Sequence, residues 1–449
     1  PLGQAQRMDR VRGALACRSR PPGRGTEQAV TSLRARALAA LVSDGTVRMV
    51  RGLHRAVGRR SLELYHQVDD PYSHLLLQAL PRLLEASGLG LDFILVPGPP
   101  PELEPEPELA RAHAWRDAAW LAARHGLSLP SAGGALRPEA REEAEAILAL
   151  PRPALEQLDV ASRVGDALLS GAPLAALAAR FGRAPSAAEP LARGAQLRAR
   201  RGHYRGGMLR HEGIWYWGLD RLEELEEVLG LATSVLERRP LEALPPGFEL
   251  EVDHDPCLEH FFSFRSPYAY LALERSARLA ERHHLPLVIK AVLPMVMRGL
   301  RVPFVKRLYI VTDAARQARF HNIAFGAICD PLGAGVERCL AAFEHAETAG
   351  RGFELCASAS RGIWSEGLDM TDDRDFERVV QRAGLDWGAV QAMADDGWRT
   401  RAEQNRAALL GLGLWGVPCF RFGSLAFWGQ DRIRDLDEVM AFWRRGVTA

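Results

Sequence analysis

Leu258-Glu259-His260-Phe261-Phe262-Ser263-Phe264-Arg265-Ser266-Pro267-Tyr268 is the stretch on which the fold turns. Its apolar and aromatic start, Leu258 to Phe264, reads as a buried strand. Ser266 is a good helix N-cap and Pro267 a favoured first helical residue, so the chain passes there from strand to helix. Leu271, Leu273, Ala277, Leu279 and Ala280 carry that helix towards His283. Leu287 to Val292 is a second strand. Strand, helix and strand in succession make a β-α-β unit, whose crossover implies a parallel pair.

Downstream, Met295 to Trp398 is helical in pattern, with breaks at Asp330-Pro331-Leu332-Gly333, Ala349-Gly350 and Gly384. Another helix spans Glu403 to Leu412. Gly416-Val417-Pro418 then leads into a strand, Cys419 to Phe422. A Gly423-Ser424 turn and Leu425 to Trp428 complete a hairpin. A last helix runs from about Asp431 to Arg444. This is the order of a thioredoxin-like α/β domain with a helical insertion.

The same plan occurs earlier in the chain. Pro71-Tyr72-Ser73-His74-Leu75 is echoed by Pro267-Tyr268-Ala269-Tyr270-Leu271. Arg111 and Asp117-Ala118-Ala119 are echoed by Arg307 and Asp313-Ala314-Ala315. Trp217-Gly218-Leu219-Asp220-Arg221 is echoed by Trp428-Gly429-Gln430-Asp431-Arg432. The order is kept, at offsets of 196 and then 211, so the second copy carries an extra loop in its middle. The expected architecture is two tandem thioredoxin-like domains, each with a helical insertion. The first domain is placed at 61–235, a Pro/Gly-broken linker at 236–250 and the second domain at 251–449. In the first, Leu62 to Val68, Tyr72 to Ser87, Leu91 to Val96 and Met208 to Leu229 repeat the plan, while Pro97 to Pro107 reads as a Pro/Glu-rich loop. Residues 1–60 form an extension, with an amphipathic helix expected from Thr31 to Val57 and Met8 a candidate start.

Among 449 residues, 47% are apolar and 25% charged, which is globular composition. A net charge of +1 argues against a nucleic-acid or membrane-surface partner. No apolar run reaches the roughly 18 residues of a membrane span. Six cysteines, none in a CxxC pair, indicate neither a disulfide framework nor a zinc site, and a cytoplasmic setting is expected. Lys290 and Lys306 are the only lysines among 57 basic residues, which draws attention to each.

Ser266 stands at a strand-to-helix turn, where backbone N–H groups and the helix dipole favour an anion. Thioredoxin-like redox enzymes place a CxxC there. Ser266-Pro267-Tyr268-Ala269 excludes dithiol chemistry at this position. A serine can instead donate a hydrogen bond to a thiolate brought by a cofactor, or it can simply cap the helix. Pro418 is expected to be cis, leaving the backbone before it free to pair with a peptide-like ligand. Asp431 can cap its helix or accept from an ammonium group.

Phe264-Arg265-Ser266-Pro267-Tyr268, Pro303-Phe304-Val305-Lys306 with Tyr309 and Asp313, Ile363-Trp364-Ser365-Glu366-Gly367-Leu368-Asp369, Gly416-Val417-Pro418 and Trp428 to Arg432 occur in this order. In these motifs the stretch from Phe261 to Trp443 resembles 2-hydroxychromene-2-carboxylate isomerase and the kappa-class glutathione transferases. The resemblance implies that Ser266 activates the thiol of glutathione as cofactor and that Val417, next to Pro418, pairs with its cysteinyl part. Trp428, Gln430, Asp431 and Arg432 would line the γ-glutamyl end. Lys306 and Tyr309 would meet a small-molecule substrate, and no metal is implied. Gly299-Leu300-Arg301-Val302-Pro303 departs from the family's Asn-x-Pro-Pro loop, which leaves the substrate open. A glutathione-dependent isomerase acting on an unsaturated aromatic or 2-oxo acid is the leading expectation. A glutathione transferase and a silent thiol or peptide binder are the alternatives. The first copy has Asp70, Ala110 and Gly207 where the second has Ser266, Lys306 and Pro418. It is expected to act as a scaffold, making a pseudo-dimer within the chain, with a homodimer as the other possibility.

Overall fold

The structure, a computed structural model, describes residues 37–57, 61–130, 136–393 and 397–447. Most of the expected N-terminal extension therefore lies outside the described residues. Its described end is the helix Asp44–Val57, shorter than the span the sequence pattern predicts. Ser43 breaks the helical run ahead of it, its hydroxyl donating to Ala40 O at 2.8 Å.

Two four-stranded sheets follow, with the same order. In the first, β1 (Ser61–His66) pairs in parallel with β2 (Gly90–Leu95) and antiparallel with β3 (Met208–His211), which pairs with β4 (Ile214–Trp217). In the second, β5 (Leu258–Phe262) stands between β6 (Leu287–Ala291) and β7 (Cys419–Phe422), with β8 (Leu425–Trp428) at the edge. The registers correspond: Met208 faces Trp217 as Cys419 faces Trp428. Each first crossover is a Pro-started helix, Pro71–Ser87 and Pro267–Arg282, capped by Asp70 and Ser266 respectively. These are two thioredoxin-like units, each with a helical insertion between its second and third strands.

Each unit buries its own core. Leu62, Leu64, Leu80, Val164 and Leu209 centre the first. Phe262, Phe264, Leu271, Phe343 and Ile363 centre the second. The stretch between the units has no helix or strand, yet it is not a loose tether. Leu241 is buried, and Phe248 stacks edge-on against Trp120 at 5.0 Å.

The units face one another through a crossed exchange of charges. Arg221 of the first unit meets Asp313 (2.8 Å) and Asp431 (2.8 Å) of the second. Arg432 of the second meets Asp117 (2.6 Å) and Asp220 (2.6 Å) of the first. Tyr72 donates to Asp117 at 2.9 Å and Tyr268 to Asp313 at 2.7 Å. Arg316, which also holds Asp313 (2.6 Å), donates to Glu224 (2.9 Å), and farther out the buried Trp120 indole donates to Asp435 (2.6 Å). Burial alone would raise the Asp117 carboxyl, but Arg432 outweighs it and holds that carboxyl below its usual range.

Breaking a buried pair from one side strands the other charge, at a cost of roughly 3–5 kcal/mol. Arg432→Met should lose about that much in urea unfolding at pH 7. Because Asp117 is depressed when folded, its contribution is complete above about pH 4 and disappears as the pH falls below that. The gap between native and variant should therefore close in acid. A variant as stable as the native chain at pH 7 would remove the exchange as the clamp.

Candidate functional site

Ser266 closes the turn between β5 and the helix Pro267–Arg282. Its Oγ accepts from Ala269 N at 3.2 Å and donates to Val417 O at 3.3 Å. The Val417–Pro418 peptide is cis. The hydroxyl thus sits between a helix N-terminus and the strand-entry backbone, where an anion gains from the free N–H groups and the dipole. A hydroxyl proton shared with a carbonyl at 3.3 Å is readily turned towards a stronger acceptor.

The wall beside this position is aromatic. Gly416 has to be glycine, because a Cβ there would collide with the Trp428 indole and the Met295 methyl. Trp415 and Trp428 cross edge-to-face at 4.4 Å. His113, from the first unit's helix Pro107–His125, lies 5.2 Å from the Trp428 ring and 6.5 Å from Trp415. Burial pulls the His113 pKa down, so the ring is neutral at pH 7.

The other residues singled out in the sequence are placed as follows. Gln430 is buried, bonded to Arg275, Gln317 and Asp431. Asp431 and Arg432 stand in the crossed exchange described above. Burial raises the Asp431 carboxyl even though Arg221 pairs with it. Lys306 Nζ donates to Leu103 O of the first unit at 3.1 Å, and Tyr309 lies edge-on to His203 of the first unit at 4.6 Å. Burial and the charge of Arg205 bring the Lys306 ammonium down to about 8. The contacts of both residues are therefore across the interface. His113 is the counterpart of Tyr309 at the offset of 196, and it reaches the Ser266 wall instead. That offset was the available signal for His113; nothing local in its sequence marks it.

Leu103 belongs to a short 3₁₀ turn, Pro101–Leu103, inside the loop that the sequence leaves without ordered structure. Pro100 and Pro101 hold the backbone angles that such a turn needs.

The matching place in the first unit differs chemically. Asp70 caps its helix, accepting from Tyr72 N at 3.2 Å. Gly207 occupies the Pro418 position with φ 62°, and a Cβ there would lie 2.8 Å from Asp70 Oδ2. Cys419 is buried, its thiol directed to Gly416 O at 3.0 Å and pushed up well above the usual range by burial. Among the described residues no cluster of His, Cys, Asp or Glu is arranged to hold a metal, and no helix is long and apolar enough to cross a membrane.

The DsbA-like thioredoxin domain family matches residues 257–441, the second unit. The curated 2-hydroxychromene-2-carboxylate isomerase of Pseudomonas putida is 23% identical over 192 residues, covering 41% of this chain and 93% of that protein. A solved structure of selenomethionine 2-hydroxychromene-2-carboxylate isomerase aligns at 22% identity and TM-score 0.37, over 43% of this chain and 98% of its own. The cytosolic disulfide reductase DsbM of Pseudomonas aeruginosa, solved with GSH, aligns at 17% identity and TM-score 0.32, over 43% of this chain and 100% of its own. The second unit is thus a low-identity homologue of DsbA-like thioredoxin superfamily proteins, isomerase-like members included.

Burial pushes the half-buried Asp70 carboxyl up to about 7, with Arg205 offsetting only part of it. The folded chain then keeps a proton between about pH 4 and pH 7 that the unfolded chain releases, so stability falls as pH rises through that window. Asp70→Asn, which carries no charge, should melt above the native chain at pH 8 and lose that advantage near pH 4. A difference in melting temperature independent of pH would show that Asp70 is not held as the neutral acid.

Proposed function

We propose that the second unit is a glutathione-dependent isomerase acting on an unsaturated aromatic or 2-oxo acid. The observation that carries this reading is the Ser266 hydroxyl at the helix N-terminus, 3.3 Å from Val417 O beside the cis Pro418, in a unit without CxxC. The residues fit the cysteinyl end of glutathione, with a serine donor, a helix N-terminus and an extended backbone meeting at one point. At the γ-glutamyl end, Asp431 is 17% exposed but pairs with Arg221 and accepts from Gln430, and Gln430 and Arg432 are likewise held by internal partners, so this end is the less supported part of the fit.

Glutathione, when bound, supplies a thiol that adds reversibly to a conjugated double bond and is not consumed. Ser266 lowers the pKa of that thiol by donating to the thiolate, as the helix dipole does. Val417 aligns the cysteinyl backbone. The Trp415–Trp428 wall excludes water from one side of the reacting bond. The first unit has Asp70 in place of the donor, and above about pH 7, where its carboxyl ionises, it disfavours a thiolate. It serves as the internal partner of the second unit, in the role that a second chain plays in a homodimer.

Calorimetry with glutathione should give one site per chain. Ser266→Ala should keep the fold and raise the pKa of the bound thiol by roughly one to two units, the loss of one charge-assisted hydrogen bond. Thiolate absorbance against pH measures it. Superimposable titrations of the two forms would remove Ser266 from thiol activation, and absence of glutathione binding would remove the isomerase reading itself.

A further inference from the structure

Near the Ser266 turn, beside Trp415 and Gly416, stands a cation that the function proposed above has not used. Arg298 ends the short 3₁₀ turn Met295–Arg298, which follows β6. Met295 of the same turn lies against Gly416, one residue before Val417. Arg298 Nη2 donates to Trp415 O at 2.9 Å, which fixes the guanidinium at the edge of the aromatic wall. Its Nε is buried and has no hydrogen-bond partner among the described residues. Two acidic side chains act on it through their fields, Glu403, which Arg406 binds at 2.7 Å, and Glu106 of the first unit. Arg298 as a whole is only half-buried, so a ligand's carboxylate can meet the guanidinium beyond its enclosed Nε.

Lys306, the residue that the motif suggests for that carboxylate, is directed elsewhere. Its ammonium bonds to Leu103 O in the first unit. The face of the second-unit wall is completed instead by His113, which the first unit contributes.

We propose that Arg298, not Lys306, holds the carboxylate of the acid that reacts at Ser266, and that His113 with Trp428 and Trp415 forms the face on which its ring lies. The assignment rests on the isomerase reading only for the reaction at Ser266. The subsite itself is a property of Arg298, the two tryptophans and His113. It makes the first unit a contributor to the second unit's specificity, through His113.

The test uses the full chain with 1-naphthoate and its uncharged analogue 1-naphthamide, followed by quenching of tryptophan fluorescence. Naphthoate should bind more tightly than naphthamide. Arg298→Gln should weaken naphthoate about tenfold or more, the loss of one charge-assisted hydrogen bond, and leave naphthamide within about twofold. Arg298→Lys, which keeps a cation, should restore part of the preference and guards against a folding defect in the glutamine variant. His113→Ala should weaken both probes alike, because it removes ring contact and not charge. Lys306→Gln should leave naphthoate binding unchanged. The proposal is overturned if native chain does not prefer naphthoate, if Arg298→Gln retains the preference, or if Lys306→Gln abolishes it. Glutathione calorimetry on the same variants separates the two ideas. Naphthoate selectivity that depends on Arg298 without glutathione binding keeps the subsite and rejects the isomerase; glutathione binding without that selectivity rejects the subsite alone.

Discussion

Arg221 reaching across to Asp313 and Asp431, while Arg432 reaches back to Asp117 and Asp220, is the constraint that sets everything else between the two units. Both arginines are almost wholly buried. A guanidinium taken out of water is tolerated only where carboxylates meet it with good geometry, so neither unit can present this face alone without stranding charge. The bidentate contacts also fix direction, since a planar guanidinium accepts a carboxylate only in its own plane. The two units are consequently held at one orientation and not merely in contact.

That orientation decides which side chains enter which groove. Asp117 and His113 are four residues apart on one helix, as are Asp313 and Tyr309, so each pair lies on one helical face. Clamping Asp117 to Arg432 therefore delivers His113 to the Trp428 wall. Clamping Asp313 to Arg221 delivers Tyr309, with Lys306 one further turn away, to the first unit. The exchange is reciprocal, and the interface and the grooves cannot be altered independently.

The fold was legible because its signals are local. A Ser-Pro after an aromatic strand, a Gly-Val-Pro before another, and a Gly-Ser turn each carry their own stereochemical reason, and the doubled motifs give the same order twice. Ser266, Val417 and Pro418 lie in those same turns, and the structure brings them together. Lys306 and Tyr309 could not be placed in this way. Their helix, Phe304–Phe320, carries no local signal for which neighbour it meets, and only the packing of one unit on the other decides it. Arg298 carries no pattern at all; its place beside Trp415, fixed by the bond to Trp415 O, is a property of packing and not of sequence. The linker shows the same limit, since Leu-Pro-Pro-Gly correctly breaks helix and strand but does not report that Leu241 and Phe248 are drawn into the core around Trp120.

The pattern of what the two units share then has a physical explanation. Tyr72 and Tyr268, Asp117 and Asp313, Asp220 and Asp431, Arg221 and Arg432 are matched pairs, and every member takes part in the exchange or bonds to it. Ser266 and Pro418 are unmatched, replaced by Asp70 and Gly207. The matched charged positions at the centre are those whose loss would strand a buried charge. Other unmatched positions, Lys306 against Ala110 and Tyr309 against His113, still meet the opposite unit, so difference alone does not mark a ligand contact. The Trp-Gly-x-Asp-Arg segment thus owes its presence in both units to the interface, and its aspartate and arginine are explained before any cofactor is considered. What remains for chemistry in the second unit is a smaller set, the Ser266 hydroxyl, the Val417 backbone and the wall that His113 completes from the other side.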